Sequence, residues 1–284
     1  MDEKYIQIFC GYRGAYGVAN IKNAYVDPAS GKLRLKPGDY RWNYQELTDD
    51  IYLDHLNGKK SIGIQPCNEE GETKFGLIDI DPSNYENFDR KFIIDKIQEY
   101  KLPLIPILSK SKGLHLYIFM RKFVDAATLK SFLSNLLPLF QLKSDTEIFP
   151  KQTQLTKDLE RGTLRPGQFI NLPYFNKTER RALNIDGTEF TFEQFISLVG
   201  SNLVDPDQLT IITDNIDKKI FEGADGDFKD GPPCLATLST MMKDPQFDGK
   251  DRFMYNYHVF VKMKYEDTWK QKVKNAPVKY FAEQ

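Results

Sequence analysis

The sequence predicts an α+β fold, and three observations lead there. Residues 75–149 run through strand and helix periods in the order β-α-β-β-α-β, which is the order of a ferredoxin-like unit. A glycine-rich, turn-rich stretch with its own strand and helix signals precedes that unit, and helical periods return after residue 235. The fold class is therefore an α+β core with an N-terminal αβ extension and a small C-terminal helical module.

Taken in order, YIQIFCGYRGAYGVANI (5–21) is an apolar, strand-like run broken by Gly11, Gly14 and Gly17. Leu47, Ile51, Leu53 and Leu56 are spaced as on a helix that Gly58 closes, and no role attaches to His55 within it. SIGIQPCN is a short strand, and the polar turn NEEGET after it predicts a hairpin with the next strand. That next strand, within KFGLIDIDPSN (74–84), carries Asp79 and Asp81 among Leu77, Ile78 and Ile80. Phe88, Phe92, Ile93 and Ile97 mark an amphipathic helix, LPLIPIL a proline-interrupted edge strand, and LHLYIFM a further strand. A helix over DAATLKSFLSNLLPLF has Asp125 as its N-cap, and DTEIF is the last strand of the unit. The RRM-like core spans about 61–175 inside a domain of 1–200, followed by an acidic, glycine-bearing linker over 201–230 and a helical module over 231–284.

In the usual 4-1-3-2 order of such a sheet, the first strand lies between the third and the fourth, and both helices cover one face. Alternation puts Ile78 and Ile80 toward the helices and Asp79 and Asp81 on the other, open face. The same parity places His115 and Tyr117 there from the third strand, and Glu147 with Asp145 from the fourth. Side chains two apart on a strand lie about 6–7 Å apart, a spacing that suits joint ligation of Mg²⁺ or Mn²⁺ by hard oxygens. An isolated Asp-x-Asp is more often a solvated strand end with two surface aspartates. Asp, Asp, His and Glu converge from three strands, and three carboxylates around two divalent cations is the arrangement for in-line nucleotidyl transfer. His115 suits a phosphate contact better than a metal ligand, and the loop Ser109, Lys110, Ser111, Lys112, Gly113 offers the donors a triphosphate needs. Lys151, Arg161 and Arg165 continue a basic track, or else a solvated surface.

IDID, then a serine/lysine/glycine loop ending in GLHLYIF, then EIFPKQ, then QFINLPYF resembles the motifs of archaeo-eukaryotic primases, in wording that looks like the primase-polymerases of phages and mobile elements. The resemblance runs from about 60 to 175. It implies template-directed synthesis on single-stranded DNA from NTP or dNTP, in the replication of a phage or mobile element. Asp79, Asp81 and Glu147 would be the catalytic metal ligands, with His115, Lys110, Ser111, Lys112 and Lys151 on the incoming nucleotide and Asn171 bordering it. Asp145 shares the parity of Glu147, and Glu147 is preferred because it directly precedes the Ile-Phe of the motif.

Composition bounds the rest. A formal net charge of −1 over 284 residues excludes a general polycation, so nucleic-acid binding must rest on a local surface. Cys10, Cys67 and Cys234 form neither a disulfide framework nor a zinc knuckle within the chain. Relatives of the primase kind carry a cysteine-bound cluster further on, and Cys234 stands where one ligand would lie. No apolar run reaches membrane-spanning length and MDEKYIQIFC lacks a secretory pattern, which predicts an intracellular, cytoplasmic protein with no membrane contact. The stop after PVKYFAEQ reads as a fragment of a longer protein with a helicase as domain or partner. The competing function is a non-catalytic RRM-like module that stacks single-stranded nucleic acid on Tyr117 and Phe149. A rolling-circle endonuclease needs a His-x-His strand, where this chain offers a single histidine.

Overall fold

The structure, a computed structural model, describes residues 1–19, 25, 26, 28, 33, 34, 40–85, 88–109, 113–158, 162–222, 250–264 and 270. The chain divides into two units, Met1–Leu209 and Thr210–Gln284.

The first residues form a helix, α1 (Asp2–Ile8), where the sequence predicts a strand. Tyr5, Ile6 and Phe9 explain the difference: one helical turn brings all three onto a single buried side. Strands β1 (Tyr16–Ala19), β2 (Tyr25–Val26), β3 (Leu33–Arg34) and β4 (Tyr40–Asn43) follow, then α2 (Asp49–Leu56) and β5 (Ile62–Ile64). Gly58 closes α2 at φ +73°, as the sequence predicts. The long strand β6 (Glu72–Ile80) leads to a 3₁₀ turn at Pro82–Asn84, to α3 (Arg90–Glu99) and to β7 (Ile105–Leu108). After these come β8 (Leu114–Asp125), α4 (Ala126–Leu136), β9 (Glu147–Phe149), β10 (Thr156–Asp158), β11 (Thr163–Arg165), β12 (Ile170–Asn171) and α5 (Phe192–Ser201). Asp89 caps α3 and Asp125 caps α4, the latter accepting from the Thr128 amide at 2.7 Å. Helix α6 (Gln208–Glu222) runs through the stretch predicted as a linker, and α7 (Lys250–Lys264) buries Phe253, Tyr257, Phe260 and Val261. Cys234 lies outside the described residues.

Two four-stranded sheets build the first unit, ordered β7-β8-β6-β9 and β12-β5-β1-β4. In the first, β6 lies between β8 and β9 and pairs antiparallel with both, and β7 takes the edge. The hairpin predicted between β5 and β6 does not form: β5 pairs with β1 and β12 in the second sheet. Asn68 closes the turn between them instead, its Oδ1 accepting from the amides of Glu70 and Glu72 at 3.1 and 2.7 Å. Helix α4 packs on β6, β8 and β9 over the side bearing Ile78 and Ile148.

The opposite side of that sheet is open only at one end. Phe75, Leu77, Tyr117, Phe119 and Phe149 all point to it, and they are buried in one core with Tyr5 and Phe9, with Tyr16 and Ile64 of the second sheet, and with Phe192 and Phe195 of α5. This corrects the predicted open face. The N-terminal extension and α5 cover it, so Tyr117 is fully buried and Phe149 is 4% exposed. Alternation named the face correctly, but only Asp79, Asp81, His115 and Glu147 reach beyond the cover.

Candidate active site

Asp79 pairs in register with His115 on β8 and with Glu147 on β9, so the three side chains form a row across neighbouring strands. Strands lie about 4.8 Å apart, which brings these groups within reach of one another. His115 Nε2 sits 3.1 Å from Asp79 Oδ1. Lys151 Nζ sits 2.7 Å from Glu147 Oε1 and 5.4 Å from the centre of the Phe149 ring. Asp81 ends the strand and starts the 3₁₀ turn, its Oδ1 accepting from the Ser83 amide at 3.0 Å and the Ser83 hydroxyl at 2.9 Å. Asp145 falls in the turn before β9 and outside the cleft lining, so Glu147 is the carboxylate opposite Asp79.

This row lies in a cleft of about 630 Å³. The second sheet and the segments beside it contribute Arg41 and Trp42 from β4, Gln168 and Phe169, Asn171 from β12, and Arg180. Trp42 is fixed by its Nε1, which donates to the Gly167 carbonyl at 3.0 Å, and by an edge contact with Phe169 at 4.7 Å between ring centres. The Phe169 ring needs glycine beneath it, since a Cβ at Gly17 or Gly63 would run into it. Gln152 ties this part of the chain together: its Oε1 accepts from Gln65 Nε2 at 3.0 Å and from the Gln168 amide at 2.9 Å. Arg180 Nη2 donates to Ser61 Oγ at 3.3 Å. Asn171 Oδ1 is buried with no hydrogen-bond partner.

Asp79, Asp81, His115, Glu147, Lys151 and Asn171 thus line one cleft. Lys110, Ser111, Lys112 and Arg161 lie outside the described residues. Ser109 and Gly113, which flank the lysine-bearing loop, are joined by a backbone hydrogen bond at 3.1 Å, and Ser109 lines the cleft. Arg165 departs from the predicted basic track: it sits on the β10–β11 hairpin, 3.7 Å from Asp158, and away from the cleft. Sequence reasoning missed Arg41, Trp42, Phe169 and Arg180. The one available signal was the Arg-Trp pair in YRWN, a charged and an aromatic residue together on a short strand.

Three carboxylates are the right donors for a hard divalent cation. Each is held by a partner from its own chain, Asp79 by His115, Asp81 by Ser83 and Glu147 by Lys151, and no three acidic, imidazole or thiol groups among the described residues converge as a ligand set.

A family model described as the archaeo-eukaryotic primase domain of the TOTE conflict system matches residues 15–195. The chain belongs to this family. The match takes in every cleft residue of this primase domain, from Arg41 to Arg180. Among solved structures, the chain is similar to the primase domain, PP-N190, of the primase-polymerase of cyanophage S-2L. The identity is 10%, the TM-score 0.37, and the likeness covers 73% of this chain and 94% of that one. No curated protein matches the chain. No helix among the described residues is long and apolar enough to cross a membrane.

Proposed function

We propose that this primase domain makes short RNA or DNA strands on a single-stranded DNA template, by nucleotidyl transfer in an RRM-like core. The observation that carries the reading is the row of His115, Asp79 and Glu147 across β8, β6 and β9, in a cleft that also bears Arg41 and Arg180. Nucleotidyl transfer asks for oxygen ligands where the attacking hydroxyl meets the α-phosphate, and for cationic donors where phosphate charge gathers. Asp79, Asp81 and Glu147 would hold Mg²⁺ or Mn²⁺, which when bound supplies Lewis acidity toward the hydroxyl and neutralises charge on the departing pyrophosphate. His115 and Lys151, released from their carboxylates, turn to the triphosphate together with Arg180 and the Ser109–Gly113 loop, to which Lys110, Ser111 and Lys112 belong.

The binding-module alternative needs exposed aromatics on this face, and Tyr117 and Phe149 are inside the core. The family's description by a conflict system favours strand synthesis in that setting over phage replication, with a helicase as the partner that supplies single strands.

The test is synthesis from labelled ribo- or deoxynucleotides on single-stranded DNA with Mg²⁺ or Mn²⁺, with and without a primer. Metal-dependent products that vanish in an Asp79→Ala/Asp81→Ala double variant are the expected result. A folded protein that binds single strands yet never extends a primer would sink the proposal.

A further inference from the structure

Asn171 differs from the carboxylates of the cleft. Asp79, Asp81 and Glu147 meet an imidazole, a hydroxyl and an ammonium group, whereas Asn171 Oδ1 is buried and accepts no hydrogen bond. A buried acceptor without a partner destabilises the empty fold, so a purely structural role gives no reason for an amide at this place. Its position is fixed: β12 pairs Asn171 with Gly63, and the neighbouring Leu172 amide donates to the Ile62 carbonyl at 3.0 Å.

We infer that Asn171 Oδ1 accepts a hydrogen bond from the 3′-hydroxyl of the incoming nucleotide, and that it thereby favours sugars that carry this hydroxyl. This rests on the nucleotidyl-transfer reading above. An acceptor needs a donor, and the phosphates at neutral pH offer none. The bases do carry donors, but the pattern differs among the four, so an acceptor spent on a base would favour some bases over others. Template-directed synthesis must take all four. The sugar hydroxyl is the donor they share, and the 3′-hydroxyl is the one common to ribo- and deoxyribonucleotides. Asn171 lines the same cleft as Asp79 and Glu147, and the packed rings of Trp42 and Phe169 line it too, as an uncharged wall for the nucleoside.

The experiment is calorimetric titration of the whole chain with Mg²⁺ and no template, using a ribonucleoside, a deoxyribonucleoside and a dideoxyribonucleoside triphosphate of one base. The wild type is expected to bind the deoxy form about five- to tenfold more tightly than the dideoxy form. Asn171→Ala and the volume-keeping Asn171→Leu should bring the two to equal affinity, with a melting temperature no lower than that of the wild type. Equal wild-type affinity for deoxy and dideoxy forms overturns the inference, as does a variant that loses both forms by the same factor. Discrimination confined to ribo against deoxy forms sinks the 3′ assignment. A wild type that binds no triphosphate at all overturns the nucleotidyl-transfer reading itself.

Discussion

His55 sits in the last turn of α2 with no exposed surface, its Nδ1 accepting from the Ile62 amide at 3.2 Å and its Nε2 lying 2.9 Å from the Pro173 carbonyl. Those two contacts define the tautomer: Nδ1 is the acceptor, so Nε2 carries the proton and donates it. Burial first, and the Arg180 charge second, push its pKa from 6.5 down to about 3. The folded state therefore binds a proton less readily than the unfolded chain. Its stabilising effect is complete above pH 6.5 and is lost as pH falls from there toward 3, at about 1.4 kcal/mol per pH unit. Urea denaturation at pH 7.5, 6 and 5 should show this slope, and His55→Gln should flatten it; an unchanged slope in the variant would show that other groups set the acid sensitivity. Lys151 makes a second prediction at this scale. Its ammonium occupies Glu147, so Lys151→Gln should bind Mn²⁺ up to about fivefold more tightly without nucleotide, the worth of an exposed ion pair, while binding triphosphate more weakly. Calorimetry with Mn²⁺ alone reads the first effect, and unchanged metal affinity would mean that the lysine does not compete.

Gly113 shows how one residue decides where an element can lie. A Cβ there would run into the Ile80 carbonyl oxygen and come within 2.8 Å of Pro82 Cδ and 2.9 Å of Ser109 Oγ. The start of β8 must approach the end of β6 that closely for His115 to stand beside Asp79. Gly113→Ala should cost about 1–3 kcal/mol of stability and lower synthesis at least tenfold by drawing His115 away from Asp79. Primer extension beside a denaturation curve checks both, and full activity would show that the close approach is dispensable. The strands and helices from β6 to β9 were legible in sequence because period, caps and parity all act locally: Asp125 announces its helix, and alternation alone sorts Asp79 from Ile78. What failed was pairing at a distance. The three residues of β5 carry no signal that their partners are Gly17 and Asn171 rather than β6, which follows directly. Helix α1 misled because YIQIF suits either period until Phe9 finds Phe75 and Phe119.

The site as a whole was half legible for a related reason. Its carboxylate side is one sheet with a readable pattern, whereas Arg41, Trp42 and Arg180 arrive from parts of the chain that share no motif and meet only in the folded molecule. The covering of the sheet face is likewise a property of the whole first unit, and it yields the last prediction. The family match begins at residue 15, yet α1 and Phe9 lie before it. Phe9 packs against Phe75, Tyr117 and Phe119 at 5.3, 5.8 and 5.3 Å between ring centres, and the Tyr5 hydroxyl donates to the Pro173 carbonyl at 2.6 Å. Removing a buried aromatic of this kind costs about 3–5 kcal/mol, and losing two approaches the whole stability of an ordinary domain. Fragment 1–209, which holds every cleft residue and ends where the first unit ends, should unfold in one cooperative step and bind triphosphate like the full chain. Fragment 11–209 keeps all of the family match but exposes Tyr117 and Phe119, and it should lose its near-ultraviolet circular dichroism and its cooperative transition. If 11–209 instead melts within a few degrees of 1–209, the helix lies outside the core, and the sheet face beneath it becomes available surface after all.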